Sequence, residues 1–298
     1  MKELIGTGVA LVTPFTEEGQ VDHLALSRLV NYQIENGIDY LVVLGTTGEA
    51  ATLSPTEKAE VMSTVVRSNS ERLPLVAGIG GNNTAEVVKE LKTGDFNGFS
   101  AILSVSPYYN KPSQEGIYKH FEAVAINSPL PVIVYNVPPR TGSNMDACTS
   151  LRLARDFENI VAIKEAAGNF DQALELLRDK PDDFHVISGE DMLALPMVLA
   201  GASGVISVIG QGLPKEFSEM IKLGREGSSA EAYVRFFKLM KSMELIFEEG
   251  NPSGIKCLLN VLNILREEVR LPLVQASNEL REKMIKFVVS YKKAKDVI

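Results

Sequence analysis

The chain has 298 residues, 45% of them hydrophobic and 23% charged, with a formal net charge of −8. This is the composition of a folded globular chain, not a disordered one. An acidic chain without a basic block also argues against nucleic-acid or anionic-membrane binding, and no stretch is long enough to span a bilayer.

The N-terminal segment MKELIGTGVALVTPF is apolar but interrupted by Gly6, Gly8 and Pro14, so it does not read as a secretory leader, and a cytoplasmic protein is expected. Short apolar, β-branched runs then recur: GVALVTPF from Gly8, YLVVLG from Tyr40, PLVAGIG from Pro74 and FSAILSVSP from Phe99. PVIVYNVP from Pro131, IVAIKEAAG from Ile160, FHVISGE from Phe184 and GVISVIG from Gly204 complete the set. Runs apolar on both faces predict strands covered on both sides, as in a parallel sheet. Helical periodicity separates them, with N-terminal caps expected at Ser54 (Pro55 and Glu57 following), at Thr84 with Glu86, and at Ser113 with Glu115. Eight strands alternating with helices predict a (β/α)₈ TIM barrel over residues 1–224. An open doubly wound sheet is the alternative, but GIGGNN at Gly78–Asn83 lacks the full nucleotide-binding spacing and reads as a tight turn. After Gly224 the alternation stops. Three helices, roughly Ala230–Glu249, Ser253–Arg266 and Asn278–Lys293, predict a C-terminal helical extension over residues 225–298.

In such a barrel the strand C-termini carry the active site, so position ranks the polar residues. Lys164 closes the run Ile160-Val161-Ala162-Ile163, and alternation from Ala162 turns it to the interior. A buried ammonium is costly, and a lysine favoured as the free amine can attack a ketone to give an iminium. A structural pairing with Glu49 or Glu165 explains the residue equally well. Tyr135 ends the preceding strand and is either a proton shuttle or a barrel-filling aromatic. Thr46 and Thr47 offer hydroxyls and N–H groups to a small anion, or form a capping turn before Ser54. Arg140 follows Pro138-Pro139, which restrict where its guanidinium points, and is either a carboxylate clamp or a surface arginine. Tyr108-Tyr109 suggest a site wall, a buried interface or a loop anchor.

Metal chemistry looks poor, because His23, His120 and His185 are isolated, and Cys148 and Cys257 lack CxxC spacing. Phosphate binding is disfavoured by Glu190-Asp191, which follow the seventh strand where such barrels often grip phosphate.

At these residues the chain resembles the dihydrodipicolinate synthase family within the N-acetylneuraminate lyase superfamily. The likeness spans nearly the whole sequence and rests on GTTGE at Gly45–Glu49, SPYYNKPSQEG at Ser106–Gly116, YNVPPRTG at Tyr135–Gly142, IKEAAGN at Ile163–Asn169 and SGED at Ser188–Asp191. The resemblance implies condensation of pyruvate with L-aspartate 4-semialdehyde, without a cofactor, through a covalent imine on Lys164. It implies that Tyr135 shuttles protons with Thr47 and Tyr109, the tyrosine at 109 coming from a neighbouring subunit of a homotetramer built from two tight dimers. Thr46 and Thr47 would hold the pyruvate carboxylate, Arg140 the carboxylate of the second substrate, and Gly189 and Ile206 would line the pocket through backbone groups. Arg140 separates this reading from sialic-acid lyases, while a pyruvate-dependent sugar-acid aldolase is the nearer alternative; a barrel that binds a small acid without turning it over is a third. Asn82, Glu86 and Tyr108 match the family's lysine inhibitor pocket, but Pro55 and Lys58 stand where well-inhibited members have histidines. The Lys58 charge would repel a cationic ligand, so weak or absent inhibition by L-lysine is expected.

Overall fold

The computed structural model describes residues 4–295, with side chains to residue 292. The outermost residues of the predicted barrel and extension, 1–3 and 296–298, lie outside that range. The elements follow the order β1 Gly6–Ala10, α1 His23–Glu35, β2 Tyr40–Val43, α2 Pro55–Asn69, β3 Leu75–Gly78, α3 Thr84–Thr93 and β4 Ala101–Val105. Next come α4 Gln114–Asn127, β5 Val132–Asn136, α5 Pro138–Thr141, α6 Ala147–Asp156, β6 Ile160–Glu165, α7 Phe170–Asp179, β7 His185–Ser188, α8 Asp191–Leu199 and β8 Gly204–Ser207. The last four helices are α9 Pro214–Arg225, α10 Ser229–Glu248, α11 Ser253–Val261 and α12 Asn278–Lys295.

The eight strands pair in sequence order, all parallel, and close as a barrel through β1 and β8. Closure brings Gly204 against Gly6 so tightly that a Cβ on Gly204 would lie 1.9 Å from the Gly6 carbonyl oxygen. Only glycine fits that seam, and its φ of +158° is open to glycine at no steric cost. Inside the barrel, Tyr40, Val42, Val76, Leu103, Ile133, Ala162, Ile187 and Ile206 form one apolar cluster. A larger cluster packs the outer strand faces against the helices and includes Phe236, Leu239 and Met243 of α10, Leu258 of α11 and Met284 of α12.

The Ser54 cap is a full capping box with Glu57, and Ser113 caps α4 by accepting from Gly116 N–H. The cap expected at Thr84 is one residue earlier: Asn83 accepts from Ala85 N–H and Thr84 is already helical. The helix expected over Ser253–Arg266 stops at Val261. Asn263 turns left-handed with φ 60°, and Ile264 N–H returns to the Leu259 carbonyl, a Schellman-type ending that the continuing apolar pattern concealed. A bulge on β6, opposite Val132 and Ile133 of β5, leaves Val161 unpaired, so Ile160 faces the helices while Val161 and Ala162 both face the interior. Counting from Ala162, below that irregularity, is what makes the inward placement of Lys164 correct.

Candidate active site

Lys164 sits at the C-terminal end of β6, in register with Tyr135 on β5 and Ile187 on β7. It is 5% exposed, and its Nζ lies 4.4 Å from the centroid of the Tyr135 ring. The pairing with Glu49 or Glu165 is absent among the ion pairs of the described residues, because both carboxylates are engaged elsewhere. Glu165 accepts from Asn136 and Gln172 side chains and from Ala167 N–H, and burial raises its pKa against those bonds. Glu49 belongs to Lys256 of α11, at 2.5 Å with both side chains essentially sealed from solvent, and also accepts from Arg270 N–H.

Gly189 closes the lysine's other side. A Cβ there would lie 2.6 Å from Ala166 Cβ and 2.9 Å from Lys164 Cε, so the bare backbone is what lets the lysine arm extend. Beyond it stand two acids that feel the Lys164 charge. Burial raises Glu190, reinforced by Asp191 and opposed by a backbone hydrogen bond and by Lys164; burial also raises Asp191, against its bonds from Ser207 and the Ile209 and Val208 N–H groups. Those N–H groups after β8 are donors of the kind that bind phosphate in many barrels. Here the chain's own carboxylate occupies them.

A cavity of about 430 Å³ opens beside this row, lined by Thr46, Tyr135, Val137, Arg140, Tyr108 and Asn251 among others. Tyr135 joins the two features, since it borders the cavity and packs on Lys164. The GTTGE segment forms a 3₁₀ turn, Thr46–Gly48, and a second, Ala50–Thr52, follows it before the Ser54 cap, so the polarity serves the chain path as well. Leu44 and Glu49 flank the first turn in left-handed backbone, φ 60° and 54°, a conformation non-glycine residues adopt only when the surroundings impose it. The turn separates its two threonines. Thr46 is exposed to the cavity; Thr47 is buried, its Oγ1 accepting from Asn251 Nδ2 at 2.8 Å.

Arg140 is exposed at the cavity wall and its Nη2 donates to the Asn251 carbonyl at 3.4 Å. Tyr109 stands out from the surface at 83% exposure with φ 75°. Ile206 is fully buried in the interior cluster. Of the residues expected to match an inhibitor pocket, Asn82 donates to the Tyr108 carbonyl at 3.3 Å, while Glu86 faces solvent beside Lys89. Lys58 shares a groove with Glu86 and Glu90 and also borders the cavity beside Tyr135.

Asn251 and Lys256 are the residues that sequence reasoning missed. Lys256 carried the signal that singled out Lys164, a lone charge inside the apolar run IKCLLNVL. Burial lowers its pKa to about 8, against the pull of Glu49. Among the described residues no cluster of three or more His, Cys, Asp or Glu could hold a metal ion, and no helix is long and apolar enough to cross a membrane.

Residues 3–290 match the model of the Dihydrodipicolinate synthetase family. A 4-hydroxy-tetrahydrodipicolinate synthase of Flavobacterium psychrophilum is 60% identical over 284 residues, covering 95% of this chain and 97% of its own. One from Azobacteroides pseudotrichonymphae is 51% identical over 294 residues, covering 98% and 99%. Among solved structures, the dihydrodipicolinate synthase of Thermotoga maritima aligns with a TM-score of 0.95 at 36% identity, over 97% of this chain and 99% of its own. Likeness of this depth along the full chain, in sequence and in fold alike, makes the protein a member of the dihydrodipicolinate synthetase family.

Proposed function

We propose that the chain condenses pyruvate with L-aspartate 4-semialdehyde to 4-hydroxy-tetrahydrodipicolinate, as the names of its relatives indicate for them. The observation that carries the reading is Lys164 beside Tyr135, at the rim where the barrel opens onto the cavity. Lys164 Nζ adds to the pyruvate carbonyl and water leaves, giving an iminium. The iminium draws electrons from the methyl carbon, which loses a proton and attacks the aldehyde carbon of the second substrate. The amino group of that substrate then displaces Lys164 and closes the ring. No cofactor enters this sequence.

Tyr135 passes protons at the imine, with Thr47 and Tyr109 as the expected relay. Thr46 and Thr47 seat the pyruvate carboxylate. Arg140 clamps the second carboxylate, and the backbone at Gly189 and Ile206 bounds the pocket. The chemistry belongs to the barrel, 1–224, with the helical extension, 225–298, bracing its mouth. The working assembly is a homotetramer of tight dimers in the cytoplasm, each dimer lending Tyr109 across its interface. L-Lysine inhibits weakly or not at all, since Lys58 lies in the groove with Glu86. Unchanged activity across millimolar L-lysine agrees with this; half-inhibition well below that range contradicts it.

Borohydride reduction in the presence of pyruvate tests the central step. A covalent adduct on Lys164, lost in Lys164→Arg, is expected, and an unlabelled wild type removes the claim. Turnover with aspartate semialdehyde, compared with cleavage of sialic acid or ketodeoxygluconate, distinguishes the synthase from a sugar-acid aldolase.

A further inference from the structure

We propose that Asn251, contributed by the C-terminal extension, is a positioning residue that sets the direction in which the Thr47 hydroxyl donates and so completes the pyruvate carboxylate seat. The inference rests on the reading that Lys164 takes pyruvate. Asn251 lies between α10 and α11, 204 residues from Thr47, and is 9% exposed. A hydroxyl has one proton to give and two lone pairs to fill, whereas an amide N–H can only donate. By donating to Thr47 Oγ1 at 2.8 Å, Nδ2 occupies a lone pair and leaves the Thr47 proton for a different acceptor. Among the described residues, Thr47 Oγ1 has no other hydrogen-bond partner. The N–H groups of Thr46 and Thr47 open the same 3₁₀ turn and lack acceptors within it. A carboxylate seated there meets donors alone.

Two further contacts hold the main chain around Asn251. Its main-chain carbonyl accepts from Arg140 Nη2, and the buried Lys256–Glu49 pair, five residues on, fixes α11 to the end of the threonine turn. The side-chain Oδ1 of Asn251 is buried without a partner, so the contact with Thr47 is the one that anchors the amide group. Without Nδ2 the Thr47 hydroxyl is free to rotate its proton away from the carboxylate.

The test is a double-mutant cycle read by borohydride trapping across pyruvate concentrations, which needs no aldehyde, and by steady-state kinetics. Asn251→Ala is expected to raise the half-saturating pyruvate concentration for trapping about tenfold, the pattern of lost ground-state binding. In a Thr47→Val background, where there is no hydroxyl to aim, the same change should add less than about twofold. An equal penalty in both backgrounds means that Asn251 only braces the loop and overturns the proposal, as does an unchanged half-saturation in Asn251→Ala. If Asn251→Ala does not fold, Asn251→Ser, too short to reach Thr47, enters the same cycle. A wild type that traps no pyruvate overturns the pyruvate reading and this inference with it; a trapping wild type with an unaffected variant overturns the inference alone.

Discussion

Single residues around Lys164 are held by shape as much as by charge. Gly189 is the sharpest case, because the missing Cβ is the space the Lys164 arm occupies. Gly189→Ala is therefore expected to keep the fold and displace the amine. A misplacement of about 1 Å can cost on the order of 100-fold in rate, so kcat should fall by about that factor, with some loss of thermal stability from the clash with Ala166. Near-normal turnover would show that the lysine arm has room to spare. Lys164 was legible in the sequence because a strand alternates and a charge within it stands out. Its freedom from Glu49 was not. The partner of Glu49 lies 207 residues away on α11, and no local periodicity reports such a pairing.

Elements show the same contrast between local and distant causes. Strands, capping boxes and most helix spans follow from nearby residues, so they were readable, with Asn83 for Thr84 and the early stop at Val261 as local exceptions. The joints between elements were not readable. Lys256 links α11 to the turn before α2, donating to Glu49 and to the Glu268 carbonyl, with its Nζ 4.2 Å from the Phe15 ring centroid. Replacing it with methionine strands the Glu49 charge in the interior. Lys256→Met should lose about 3–5 kcal/mol in urea unfolding, and adding Glu49→Leu should recover most of that loss. A neutral result for Lys256→Met would mean that solvent reaches Glu49.

A second joint has a pH signature. Arg270 binds Glu57 at the start of α2, and this contact, with the Ser54 bond, lowers the Glu57 pKa from 4.5 to about 2. An acid held more acidic in the folded chain stabilises above its unfolded pKa, and the contribution fades as pH falls toward the folded value. The stability gap between wild type and Glu57→Gln should be about 1–2 kcal/mol at neutral pH, allowing for solvent screening, and should shrink as pH drops below about 4.5. A gap independent of pH would mean that the Glu57 charge contributes nothing through either Arg270 or the Ser54 cap.

At the scale of the whole molecule, the barrel was legible because eight apolar runs of similar length admit few closures, whereas the assembly left little trace in the pattern of one chain. Tyr109 carries the expectation, being an aromatic 83% exposed on a left-handed residue beside the mouth. If it completes a neighbour's site, Tyr109→Phe and Tyr135→Phe proteins, each impaired alone, should restore one intact site in every mixed dimer. Random exchange then returns about a quarter of wild-type activity. Mixing that restores none would assign Tyr109 to its own subunit's site.

The ties that Asn251, Lys256 and Arg270 make to residues 47–57 also bear on how such enzymes are recombined. Chimeras cut at the barrel boundary would pair one parent's threonine turn with another parent's α11, leaving a buried carboxylate with a mismatched counter-ion. Grafts should instead carry residues 45–57 and 249–272 from the same parent, as one exchangeable unit split across the two ends of the chain.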